Sequence, residues 1–138
     1  MGDIAAGGNT AIQVKGAREL AKALRQAGAD MQDLKDANRR AADIVAPAAK
    51  AKAPRRTGRL AASVRAGATQ KAGVIRAGRK SVPYAGPINY GWPKRHIKAT
   101  LFINKAAKAT EPQWTEAYRA AVERIIQDIY SQTQGAAQ

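Results

Sequence analysis

The chain is predicted to be an α+β domain: a small antiparallel sheet packed with N-terminal helices and a long C-terminal helix. Three observations lead there. The length, 138 residues, suits one domain with one modest core. Apolar residues recur at helical spacing near both ends. Between them, short runs of apolar residues are punctuated by glycine at strand-like intervals. Residues 1–10 read as a flexible arm, 11–131 as the domain and 132–138 as a flexible tail.

Within the domain, "AIQVK" at 11–15 alternates apolar and polar residues and reads as a short strand. After Gly16, residues 17–27 read as a helix with Leu20 and Leu24 one turn apart, closed by "GAD" at 28–30. Asp30 is a good N-cap for a second helix. In that helix Met31, Leu34, Ala41, Ile44 and Ala48 fall roughly on one face. Early Asp33 and Asp36 and late Lys50 and Lys52 suit the helix dipole. Pro47 lies inside the pattern and predicts a kink or break near Ala46.

Beyond Pro54 the period shortens. "LAASVRA" (60–66) and "AGVIRAGRK" (72–80) are strand candidates around a loop with Gly67 and Gly73, as in a hairpin. "YAGPINY" (84–90) is a third strand at an edge, or irregular, because Pro87 lacks the N–H a central strand needs. From Thr100 a helical reading returns and runs to about Gln132, as one helix or two. Thr110 and Gln113 have capping-box spacing, and Pro112 suits a first turn. Trp114, Tyr118, Val122, Ile125 and Ile129 then form one apolar stripe, which assigns Trp114 and Tyr118 to the core rather than to a ligand.

Charge is distributed unevenly. The chain carries a net charge of +14. Residues 44–110 hold fifteen Lys and Arg and no acid, whereas the flanks hold nine bases and all ten acids. Such a block attracts polyanions or acidic protein surfaces and repels its own copies at low salt. With no cysteine, disulfides and thiolate metal sites are unavailable. No apolar run is long enough to span a membrane, and the N-terminus lacks a secretory-signal pattern.

The sequence predicts no enzyme. His96, the only histidine, sits in "WPKRHIK" with no acid near it and reads as a surface residue. Metal-ligand spacing is absent, and "RRTGRL" lacks the glycine spacing and Lys-Ser/Thr ending of a phosphate loop. No catalytic residue, cofactor or metal is expected.

The stretch "VPYAGPINYGWP" (82–93) stands out instead. It holds three of the seven aromatic residues, Tyr84, Tyr90 and Trp92, interleaved with glycine and proline inside the acid-free block. Bases and aromatics together suit single-stranded nucleic acid, although no known recognition motif accompanies them. Tyr, Trp and Arg are equally the residues of protein hot spots, and prolines reduce the entropy lost on docking.

Three pieces of the chain resemble the gene-product-ten family of long-tailed bacteriophages, tail-completion or head-to-tail connector proteins. They are "APRRTGRLAASV" (53–64), "YAGPINYG" (84–91), and Phe102 with Ala106 ahead of the C-terminal helix. Their order and spacing match across most of the chain. The departures are Asn89, where the family often has an acid, and "WPKR", where it often has a small polar residue. The resemblance implies a structural virion protein without enzymatic activity. It would form a ring in the neck, as head-to-tail connector or tail terminator, between the capsid connector and the tail tube, through which DNA passes.

The expected partners are therefore further copies of the chain in a closed ring, of six or twelve copies, adjacent neck, connector and tail-tube proteins, and packaged DNA in the channel. No membrane is expected. The protein would be made in the host cytoplasm and reside in the virion neck. Tyr84, Tyr90, Gly91, Trp92, Pro93, Lys94, Arg95 and Phe102 are the expected protein-interface residues. Arg55, Arg56, Arg59, Arg65, Arg76, Arg79 and Lys80 are the expected residues facing DNA or acidic partners. The alternative is a small basic nucleic-acid-binding protein acting in the host cytoplasm.

Overall fold

The computed structural model describes residues 9–54, 58–78 and 101–137. The expected arm over 1–8, the candidates Arg55, Arg56, Arg79 and Lys80, and the whole aromatic stretch with Tyr84, Tyr90, Gly91, Trp92, Pro93, Lys94 and Arg95 lie outside the described residues. So does the proposed third strand at 84–90.

The elements follow the α+β order. They are β1 (Asn9–Ile12), α1 (Ala17–Gln26), α2 (Met31–Lys52), α3 (Arg59–Ser63), β2 (Arg65–Ala68), β3 (Gly73–Arg76), α4 (Phe102–Ala109) and α5 (Glu111–Ala137). The three strands form one antiparallel sheet in the order β1-β3-β2. β3 pairs Asn9 with Arg76 on one side and Arg65 with Arg76 on the other.

Helix α2 is the centre of the fold: β2, β3, α4 and α5 all pack on it. Its start follows the sequence, since the Asp30 carboxylate accepts a hydrogen bond from the Gln32 backbone N–H at 2.7 Å. Its buried stripe is displaced from the expected one. Leu34 and Ala41 are buried, but Ala37, Ala42, Val45, Ala46 and Ala49 complete the face. Met31 is exposed, and Ile44 and Ala48 are only half-buried. The residues are mostly alanine because the sheet approaches closely. A Cβ at Gly73 of β3 would lie 2.7 Å from the Asn38 carbonyl oxygen and 3.3 Å from the Ala42 Cβ. The helix also runs unbroken through Pro47; the packed alanine face on either side of the proline offsets its missing hydrogen bond.

Four further expectations are corrected. First, β1 lies at Asn9–Ile12 rather than 11–15, so two residues of the expected arm belong to the sheet. The Val14 carbonyl accepts from the Ala17 N–H at 2.9 Å, which bends 13–16 into α1. Second, 60–66 is not a single strand. Gly58, at φ 78°, opens the short helix α3 and accepts the Ala62 N–H, and the alanine-rich run favours helix. Only after Val64, in extended conformation, does β2 begin. Third, the Thr110 hydroxyl donates to the Ala106 carbonyl at 2.7 Å, closing α4 instead of forming a capping box. Fourth, α5 continues to Ala137, past the end expected near Gln132.

The predicted hairpin is present as β2–β3, with its turn at 69–72 and both Gly67 and Gly73 within strands. The Thr69 hydroxyl accepts from the N–H groups of Lys71 and Ala72, and Asn38 of α2 donates its side-chain amide to the Thr69 carbonyl at 3.0 Å. The stripe on α5 is as the sequence predicts. Trp114, Tyr118, Val122 and Ile125 are buried and Ile129 packs against them, with the indole N–H of Trp114 donating to the Ala107 carbonyl at 2.8 Å. Burial pushes the Tyr118 phenol above its usual range.

Candidate functional site

Two surfaces of different chemistry emerge on different sides of α2. The first is the sheet face turned away from α2. Gly73 and Ile75 of β3 point at the core, so strand alternation directs Val74 and Arg76 outward. Arg65 is the direct partner of Arg76 across β2–β3, and Gly67 the partner of Val74. Both arginines, two expected partner-facing residues far apart in sequence, therefore stand side by side.

They are held differently. The Arg65 guanidinium donates through Nη1 to the carbonyls of Ser63 and Gly78, both at 2.9 Å. Ser63 ties this corner together. Its buried hydroxyl donates to the Leu60 carbonyl at 2.7 Å and accepts the Gly78 N–H at 2.9 Å. Arg76 lies over Gly67, where an added Cβ would come within 2.6 Å of Nη1. Among the described residues the Arg76 guanidinium has no hydrogen-bond or ion-pair partner. Ser63 had no expected role; its place in "LAASVRA", two residues before Arg65, the only charged residue of that run, was the available signal.

The second surface is a groove between α2 and α5, with Asp33, Asp36 and Arg40 on one wall and Arg124 and Asp128 on the other, over a floor of Ala37, Ala121 and Ile125. This charged end holds about 90 Å³. It continues past Asp30 and Ile129 into an apolar depression lined by Leu24, Ala27, Ile126, Ile129 and Tyr130. Ile126 is 47% and Tyr130 61% exposed, large areas for apolar and aromatic side chains on a helix surface. Neither the Asp33 nor the Asp128 carboxylate has a hydrogen-bond or ion-pair partner among the described residues.

Among the described residues, ion pairs within single helices join Arg39 with Asp43 at 3.0 Å, and Arg119 with Glu116 and Glu123. Arg119 holds the Glu116 carboxyl below its usual range by hydrogen bonding, aided by its charge, and is itself raised in return, first through that same hydrogen bond. These exposed pairs contribute little to stability. They do use acids of the flanks on bases of the flanks, which leaves Arg76 uncompensated.

Of the other expected contact residues, Phe102 is not a surface residue. It is 1% exposed and part of the core, so its large apolar ring holds α4 in place rather than meeting a partner. Arg59 opens α3 at an exposed position. Among the described residues no group of His, Cys, Asp or Glu is arranged to hold a metal ion, and no helix is long and apolar enough to cross a membrane. Comparison with protein-family models, curated proteins and solved structures finds no match to this chain.

Proposed function

We propose that the chain is a structural subunit of the neck of a long-tailed phage, a head-to-tail connector or tail terminator without enzymatic activity. It assembles as a closed ring that joins the capsid connector to the tail tube and lets DNA pass. One observation supports the reading beyond the resemblance of its motifs: the chain bears two unlike surfaces, a sheet face with Arg65 and Arg76 and a groove edged by Asp30, Asp33 and Asp128. A ring needs them, because closed cyclic assembly brings a different patch of each subunit against its neighbour. The acid-free basic block fits acidic faces of adjacent rings, or the genome in the channel.

Imaging of intact particles tests this directly. A ring of this chain at the head–tail junction is the expected result, and its absence from mature particles overturns the reading. A functional test uses Trp92→Ala, Lys94→Ala and Arg95→Ala together. Packaged heads that fail to join tails are expected.

A second reading is favoured by Arg65 and Arg76 on one sheet face within the acid-free block, groups that attract phosphates: a small basic nucleic-acid-binding protein in the host cytoplasm. Loss of replication or gene expression in the triple variant, with normal particle assembly, supports it instead.

A further inference from the structure

We propose that a second copy of this chain docks its outer sheet face onto the acid-edged groove of the first. The inference rests on the ring-subunit reading and names the contact that closes the ring. The sheet face offers Arg76 and Arg65 beside the half-buried Val74 and Ala11, paired on adjacent strands. The groove offers Asp33 and Asp128, whose carboxylates have no partner among the described residues, with Asp30 at the end that adjoins the exposed Ile126 and Tyr130; Arg40 and Arg124 line the other end, beside Asp36. At the end lined by Asp30, Asp33 and Asp128 each surface pairs charge with apolar area, and the charges are opposite.

Charge complementarity selects a second copy over other occupants. Arg76 and Asp128 are each without a partner within their own chain among the described residues, and docking gives each one a counterion. The two surfaces belong to different sides of α2, because β3 meets it at Asn38 and Ala42 while the groove opens beside Ala37 and Arg40. A copy engaged through its groove therefore keeps its sheet face available for the next. Opposing this contact is the net charge of +14 on every copy, a long-range repulsion that salt screens within about 10 Å at 0.1 M. Local pairing and overall repulsion together require association to rise from low to moderate salt and fall again at high salt.

The test is sedimentation velocity on the full chain across a salt series, with Asp128→Lys, Arg76→Glu, their equimolar mixture and the charge-neutral Tyr130→Ser. Circular dichroism confirms that each variant is folded. Wild type is expected to associate reversibly with a maximum at moderate salt. Each charge reversal weakens association at least about tenfold, Tyr130→Ser weakens it without altering the salt profile, and the mixture recovers because reversed charges meet. A wild type that is monomeric at every salt concentration overturns the proposal, as do variants that associate like wild type or a folded mixture that does not recover. The neck reading fails separately. A ring seen in particles with these residues away from the subunit contact removes this interface alone. Charge-swap recovery in a chain missing from particles leaves self-docking standing and removes the neck.

Discussion

Arg65 and Arg76 stand directly opposite each other across β2 and β3, in a segment of the chain that contains no acid. Like charges at facing strand positions destabilise a sheet. The pair persists because Arg65 is held by the Ser63 and Gly78 carbonyls while Arg76 reaches over bare Gly67. Arg76→Thr should therefore raise the stability of the isolated protein by about 0.2–1 kcal/mol. Added polyaspartate should stabilise wild type more than the variant. Thermal melts with and without the polyanion check both halves, and a variant stabilised by polyaspartate as strongly as wild type contradicts the assignment of Arg76 as the anion-facing group.

Ser63 is the fixed point of that arrangement. Ser63→Ala removes the acceptor of the Gly78 N–H and the hydroxyl that binds the Leu60 carbonyl. The cost should be about 1–3 kcal/mol, that of polar groups left unpaired in a buried corner, measured as a fall in the urea midpoint. Loss of the corner also loosens Arg65, so polyanion binding should weaken in the folded variant although no charge has changed.

Gly73→Ala probes the contact between sheet and central helix. The new methyl would meet the Asn38 backbone oxygen at 2.7 Å and Ile12 Cγ1 at 3.0 Å, neither of them the free end of a flexible chain. Overpacking of this kind costs about 1–3 kcal/mol. Gly67→Ala is the control, because there the methyl meets the mobile end of Arg76, and it should cost less. Equal losses for the two substitutions in chemical denaturation would contradict the close approach of β3 to α2.

The strongest periodic signals were legible in the sequence. The α5 stripe from Trp114 to Ile129 and the Asp30 cap of α2 follow from residue spacing and side-chain chemistry alone; a hairpin was also expected, but the glycines taken to mark its loop, Gly67 and Gly73, lie within its strands. The buried face of α2 was not legible by size. Alanine at 37, 42, 46 and 49 carries little hydrophobic signal, and only the close approach of Gly73 explains why small residues are required. Residues 60–64 misled because alternation over so short a run does not separate strand from helix. The site was half legible. Composition marked the basic block, but the neighbouring positions of Arg65 and Arg76 depend on strand register. The groove joining Asp33 to Asp128 depends on α2 and α5 packing over nearly a hundred residues of sequence.

Pro47 gives the sharpest disagreement between local preference and fold. Proline within a helix lacks the N–H that would bond the carbonyl of Asp43 and crowds that carbonyl, at a cost of about 3 kcal/mol. Yet α2 continues for a further turn beyond it, to Lys52, because Val45, Ala46 and Ala49 are buried on the packed face. Pro47 itself is exposed, so replacing it disturbs no core contact. Pro47→Ala should restore the hydrogen bond while releasing unfolded-chain entropy that opposes folding by about 0.4–1 kcal/mol. The net expectation is a gain of about 2 kcal/mol, seen as a higher urea midpoint. Hydrogen exchange should slow at residues 45–52, where the helix turns flanking the substitution become more persistent. A loss of stability would mean that the proline's ring is required by its surroundings, and would contradict the account of tertiary packing overriding a local break.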